Sequence, residues 1–155
     1  WKQYNLGDHG NQLRFIEEVS LRAKQPINKE AAKVLYMIEE FTVQKKNKIR
    51  ILAEVGLGAF INTSSEKGTK RQQTRAFNSF NSKRVDFLMI DSSGYPIIAI
   101  EHQGTGHFQD KQAAARDAVK KRALQLAGIP LIETRADITR AELFAQLNAH
   151  LTRIN

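Results

Sequence analysis

Two short, nearly continuous apolar runs, residues 85–90 and 96–100, flank a Ser92-Ser93-Gly94-Tyr95 turn. This arrangement limits the fold more than any other feature of the chain. Runs of this length bounded by turn residues read as a β-hairpin. Strands apolar on both faces need cover on both sides, so helices must flank the sheet. The turn also sets a register. With Asp91 opposite Pro96, Leu88 faces Ala99 and Asp86 faces Glu101. Directly opposed side chains share a face, with Cβ atoms ~4.5–5.5 Å apart. Glu101 and Gln103 share that face as well, because strand side chains alternate with period two. Asp86, Glu101 and Gln103 are therefore expected to converge at one end of the hairpin.

The remaining elements arrange themselves around this hairpin. Leu13, Ile16, Val19 and Ala23 recur at helical spacing over residues 11–23, and Pro26 closes that segment. Asn28 reads as the N-cap of a second helix with a stripe of Ala31, Leu35 and Ile38. Ile49, Ile51, Ala53 and Val55 alternate with Arg50 and Glu54, a strand pattern. Residues 62–82 are polar and basic, and read as a long loop holding a short helix at Phe77 and Phe80. A helix over residues 112–127 ends at Gly128 with Pro130 just beyond, followed by a buried strand at 130–134. Thr139-Arg140-Ala141-Glu142 is a capping box that opens a last helix. The expected fold is α/β: a mixed four-stranded central sheet with an αβββαβ core, flanked by helices, with extra N- and C-terminal helices. Residues 1–10 read as an arm or linker and 11–155 as one domain.

Two carboxylates held side by side repel unless a shared proton, a basic side chain or a divalent cation compensates. The alternative, a pair of solvated strand-end charges, fits poorly with strands apolar on both faces, where charge is costly. Mg²⁺, or Mn²⁺ in its place, prefers carboxylates and water and keeps a mostly wet shell. Beside a phosphate it polarises a phosphoryl oxygen and acidifies water, which is what phosphodiester hydrolysis requires. A zinc site from Glu101, His102 and His107 is disfavoured, because adjacent strand residues diverge.

The net charge of +8 favours a polyanionic partner. The bases cluster: Lys67, Lys70, Arg71, Arg75, Lys83 and Arg84 follow one another with no acid between them. Lys70, Arg71, Arg75 and Arg84 are candidates for nucleic-acid backbone contacts, together with His107 and Arg116. The absence of cysteine excludes disulfides and thiolate metal sites and suits a reducing cytoplasm. No apolar run approaches the ~20 residues needed to span a bilayer, so no membrane contact is expected from this segment. The chain begins at Trp1 rather than Met, so the expectation is a piece of a longer protein, with an anchor, further domain or protein partner outside it.

Lys83-Arg84-Val85-Asp86-Phe87, then Ile98-Ala99-Ile100-Glu101-His102-Gln103-Gly104-Thr105-Gly106-His107, then Arg116-Asp117-Ala118-Val119-Lys120 and Ala127-Gly128-Ile129-Pro130 together resemble the core of PD-(D/E)XK nucleases. The pattern is closest to a bacterial family of unknown function related to very-short-patch repair endonucleases. It covers about residues 28–134. The resemblance implies an αβββαβ fold and a Mg²⁺- or Mn²⁺-dependent endonuclease acting on DNA. It implies that Asp86 and Glu101 bind metal and that Glu30 is the acid of the preceding helix. Gln103 stands where the motif's lysine would be, and Lys120 matches a helix lysine able to replace that charge. Glutamine can hydrogen-bond water but carries no charge. A catalytically weak or inactive nucleic-acid-binding module, or a protein-interaction module of a DNA-processing or DNA-transfer assembly, is the alternative on the same fold.

Overall fold

The hairpin turn is built by Asp91. Its carboxylate accepts the backbone N–H groups of Ser93 at 2.8 Å and Tyr95 at 2.9 Å. Gly94 takes φ +86°, a value that favours glycine. In this computed structural model, which describes residues 5–45, 48–104 and 110–152, the turn joins β2 (Arg84–Ile90) to β3 (Pro96–Gln103). The ladder pairs Phe87 with Ile100, Leu88 with Ala99 and Met89 with Ile98, as the register from the turn predicts. It departs at the turn end, where a bulge between Met89 and Ile90 pairs Ile90, not Asp91, with Pro96. The Asp91 backbone N–H donates instead to the Tyr95 carbonyl across the turn, at 2.9 Å.

The other strands are β1 (Arg50–Gly56), antiparallel to β2, and β4 (Leu131–Arg135), parallel to β3. The order β1-β2-β3-β4 makes a mixed four-stranded sheet. The helices are α1 (His9–Glu17), α2 (Lys29–Gln44), α3 (Lys70–Phe80), α4 (Lys111–Leu126) and α5 (Arg140–Leu151). Period-two alternation sorts the strand residues from Phe87 onward into two cores, while Val85 joins the core of Leu88. Phe87, Met89, Ile98, Ile100 and Ile132 pack with Val34, Ile38 and Phe41 of α2 and Leu143 and Leu147 of α5. Leu88 and Ala99 pack on the other face with Phe80 of α3 and Leu124 of α4. Helices thus cover both faces, as the apolar strands require. Among the described residues no helix is long and apolar enough to cross a membrane.

Three local expectations need correction. The first helix spans His9–Glu17 rather than 11–23, because Asp8 caps Asn11 and the chain leaves the helix after Glu18. It buries none of its residues. The basic stretch at 62–82 is less a loop than a three-turn helix: Thr69 and Gln72 form a reciprocal capping box that starts α3. Finally, β3 continues past Ile100 to Gln103, because β4 supplies parallel partners for Glu101, His102 and Gln103.

Behind α3, a short 3-10 turn at Leu57–Ala59 lies against the segment leading into β2. A Cβ on Gly58 would come within 2.8 Å of the Asn81 Cβ and 3.1 Å of its Cα. Backbone there cannot swing aside as a side-chain tip would. Gly58→Ala is expected to cost about 1–3 kcal/mol, read as a lower urea midpoint at unchanged slope. An unaltered midpoint would show that the Asn81 turn yields freely.

Candidate active site

A cleft of about 440 Å³ opens where β3 emerges from the sheet. Its walls are the segment leading into α2 (Gln25, Pro26, Ile27 and Asn28), strands β1 to β4, and α4. Five carboxylates line it, Glu54, Asp86, Glu101, Asp117 and Glu133, with Lys120, His102 and Gln103. This acidic hollow lies in a chain of net charge +8.

The ladder puts Asp86 and Glu101 one step beyond the Phe87–Ile100 pair. The Asp86 carboxylate accepts the backbone N–H of His102 at 2.7 Å, which fixes it across the two strands. Lys120 reaches in from α4, and its ammonium donates to the Glu101 carboxylate. Asp117, one turn earlier on α4, lies 3.7 Å from the same ammonium. The Glu101 side chain is only 13% exposed and that of Lys120 17%. Burial pushes the Glu101 carboxyl up to about 7; the Lys120 ammonium pulls it down, and the neighbouring Asp86 charge pushes it up further. Glu101 therefore exchanges a proton near neutrality, the range in which groups at reactive sites are commonly tuned.

A second chain of contacts runs along the β4 side. Gln103 donates to Glu133 at 3.0 Å. Lys121 bridges Glu133 at 2.8 Å and Asp117 at 2.9 Å, and those two acids, Glu133 foremost, raise its pKa. The ion pair between Asp117 and Lys121, ordinary for a helix at i,i+4, thus also ties α4 to β4.

Of the residues singled out in the sequence, Asp86, Glu101, Gln103 and Lys120 all line the cleft. Glu30 does not. It stands in the first turn of α2, 3.9 Å from His102 Nε2, beside Gly104, where a Cβ would collide with its carboxylate. His102 points away from the Glu101 face, as alternation predicts, and its Nδ1 bonds Thr134 Oγ1 at 2.8 Å. The basic candidates Lys70, Arg71 and Arg75 are exposed on α3, and Arg116 is exposed on α4. Arg84 is exposed at the start of β2, 4.0 Å from Glu54. None of these five lines the cleft. His107 lies outside the described residues.

Glu133 is the site residue that sequence reasoning misses; Glu54 reads as a strand residue that could approach the site but is better explained by surface or ion-pair contacts, and Asp117 as an ordinary helix partner of Lys121, yet both line the cleft. Glu54 adopts φ +53°, alone in positive φ among described non-glycine residues. The β1–β2 ladder steps over it, from Ala53–Phe87 to Val55–Val85. Strained backbone of this kind tends to cluster at functional sites. Nothing in the alternation of β1 announces this one, since a polar residue in an alternating strand reads as solvent-facing.

Among the described residues no group of three His, Asp or Glu is arranged to hold a metal ion. That argues against a closed, all-protein cage. Mg²⁺ needs less: one or two carboxylates, with water and substrate phosphate completing its shell. Asp86 and Glu101 meet that requirement.

No solved structure matches this chain. An uncharacterized protein of Haemophilus influenzae is 32% identical over 139 residues, which cover 90% of this chain and 68% of that protein. The uncharacterized protein y4bI of Sinorhizobium fredii is 38% identical over 90 residues, 58% of this chain and 59% of its own length. The sequence profile of one family, described as "protein of unknown function (DUF2726)", matches residues 24–150, from just before α2 to the last turn of α5. The chain thus belongs to the DUF2726 family.

Proposed function

We propose that this chain is a divalent-cation-dependent, nuclease-like domain of the PD-(D/E)XK type that cleaves phosphodiester bonds in DNA. One observation carries the proposal: two acids from adjacent strands and a lysine from α4 meet in a single cleft, with one acid buried enough to hold a proton near neutrality. Asp86 and Glu101 would hold Mg²⁺ or Mn²⁺. When bound, the cation supplies Lewis acidity toward a phosphodiester oxygen.

The chain's own residues do the rest. Glu101, whose carboxyl can give up its proton near neutrality, would be the second acid to hold the cation. Lys120 would supply from α4 the positive charge toward phosphate that the missing strand lysine would have. Gln103, tethered to Glu133, orients water by hydrogen bonds. Glu30 acts from the rim by way of His102. Lys70, Arg71, Arg75, Arg84 and Arg116, all exposed, hold the DNA backbone outside the cleft.

The test is nicking of supercoiled plasmid with Mg²⁺ or Mn²⁺ by wild type, Asp86→Ala and Glu101→Ala. Wild type is expected to nick and both variants to fail; equal cleavage by all three rejects the assignment. The contact of Lys120 with Glu101 favours a second reading, because it already compensates the buried acid without a metal. On that reading the domain binds DNA in a salt-sensitive manner and cuts nothing.

A further inference from the structure

A row of acids crosses the sheet at the cleft. Asp86 of β2 lies one step past the Phe87–Ile100 rung, and the parallel register of β4 sets Glu133 directly beside Glu101. By position, Glu133 would be the next cation ligand after Asp86 and Glu101. Its contacts give it another task. One oxygen, Glu133 Oε1, accepts both the Lys121 ammonium at 2.8 Å and the Gln103 side-chain NH₂ at 3.0 Å. Lys121 is itself anchored to Asp117 of its own helix at 2.9 Å. Glu133 is thus held from α4 while it holds β3.

These contacts decide which way the Gln103 amide faces. An amide has donors at its NH₂ end and an acceptor at its carbonyl end, and its orientation is read from its partners. An ionised carboxylate only accepts. With the NH₂ end on Glu133, the carbonyl end points away from it, and Gln103 lines the cleft.

We propose that Glu133 and Lys121 are positioning residues that present the Gln103 carbonyl to the cleft as an acceptor for a hydrogen of water. What that water does rests on the nuclease reading above. A lysine at this position only donates and suits a phosphate oxygen. An inward carbonyl repels phosphate, so Gln103 takes no part in binding it, and Lys120 alone supplies charge from this side of the cleft. By accepting one hydrogen, Gln103 aims the lone pair of the same water, as a positioned base would.

The side chains of Lys121 and Glu133 are 41% and 37% exposed, so Glu133→Leu, Glu133→Gln and Lys121→Met should fold, which circular dichroism checks. In the metal-free chain, the Gln103 NH₂ resonances are identified by their loss in Gln103→Met. They are expected away from the free-glutamine position, to return to it in Glu133→Leu, and to stay displaced in Glu133→Gln, which keeps an acceptor oxygen. In plasmid nicking, Glu133→Leu should lower kcat by up to ~100-fold, the cost of a misplaced group, without raising KM. Glu133→Gln should recover most of that loss, and Lys121→Met should show a smaller drop of the same kind. Wild-type resonances at the free-glutamine position overturn the proposal. So does Glu133→Gln as impaired as Glu133→Leu, since the charge of Glu133 would then matter and not its hold on Gln103. Mn²⁺ affinity lost in Glu133→Leu but kept in Glu133→Gln overturns it too, because the Gln103 carbonyl would then be a cation ligand. A wild type that nicks nothing sinks the nuclease reading instead, and the amide resonances, read without cation or DNA, still decide whether Glu133 positions Gln103.

Discussion

Glutamine at position 101 is expected to make the fold harder to unfold at pH 8 than the wild-type chain, by about 2–3 kcal/mol in the presence of chelator. The same change should lower metal-dependent cleavage by more than ~100-fold, beyond the usual cost of losing an outer-shell partner of a metal. The stability effect follows from linkage. The Glu101 carboxyl sits at about 7 in the fold against 4.5 for the free side chain, chiefly because it is buried. Between those values the folded state binds a proton that the unfolded state has released. Stability is therefore fully present below 4.5 and is lost as pH rises through 7. Glutamine has no proton to lose, so its curve stays level across that window. Lys120 keeps Asp117, 3.7 Å away, as a partner. Urea midpoints from pH 4.5 to 8.5 measure the divergence, and parallel curves would sink it. Added Mg²⁺ should restore the wild type at pH 8 and leave the variant unmoved, because only a group that binds the folded state stabilises it.

The sequence carries the centre of this molecule better than its margins. The convergence of Asp86 and Glu101 is legible because strand period and a four-residue turn leave one simple register, and burial on both faces keeps it from slipping. The turn-end rung is Ile90–Pro96 rather than Asp91–Pro96, and the bulge between Met89 and Ile90 takes up that one-residue difference, so the ladder beyond it runs in the expected register. The extent of α3 was legible in principle from Thr69 and Gln72, but a polar, basic composition outweighed the cap. The place of Asp117 and Glu133 in the cleft is hidden for another reason. They reach the cleft through the α4 crossover and the parallel β3–β4 pairing, long-range contacts that no local pattern encodes. Glu30 shows the converse: its helix was foreseen, while its side chain turned to His102 and Gly104. The exposure of α1 could not be read either, since an amphipathic stripe says that a face seeks a partner and not whether one is present.

Phe87→Ala is expected to lower the stability of the fold by about 3–5 kcal/mol, because a buried aromatic removed from a packed core loses its transfer energy and leaves a cavity. Phe87 is fully buried on the middle of β2, between Ala53 of β1 and Ile100 of β3. Its ring belongs to the core beneath α2 and α5, and both neighbouring strands hold their registers, so the site cannot collapse to fill the void. Against a typical total of roughly 5–15 kcal/mol, that loss leaves a marginal domain. Tyr36→Ala, at a helix position 67% exposed, is the control and should stay within about 0.5 kcal/mol. Phe87 also adjoins Asp86, so cleavage should fall with it, though for a different reason than in Glu101→Gln. Activity per folded molecule separates the two. It should stay near wild type in Phe87→Ala, whose total activity recovers as the chain is cooled or supplied with Mg²⁺, which repopulates the fold, and it should stay low in the glutamine variant under any condition that keeps the chain folded. A Phe87→Ala domain that stays fully folded and yet inactive would mean that the ring shapes the acid pair directly, and the division between core and cleft drawn here would fail.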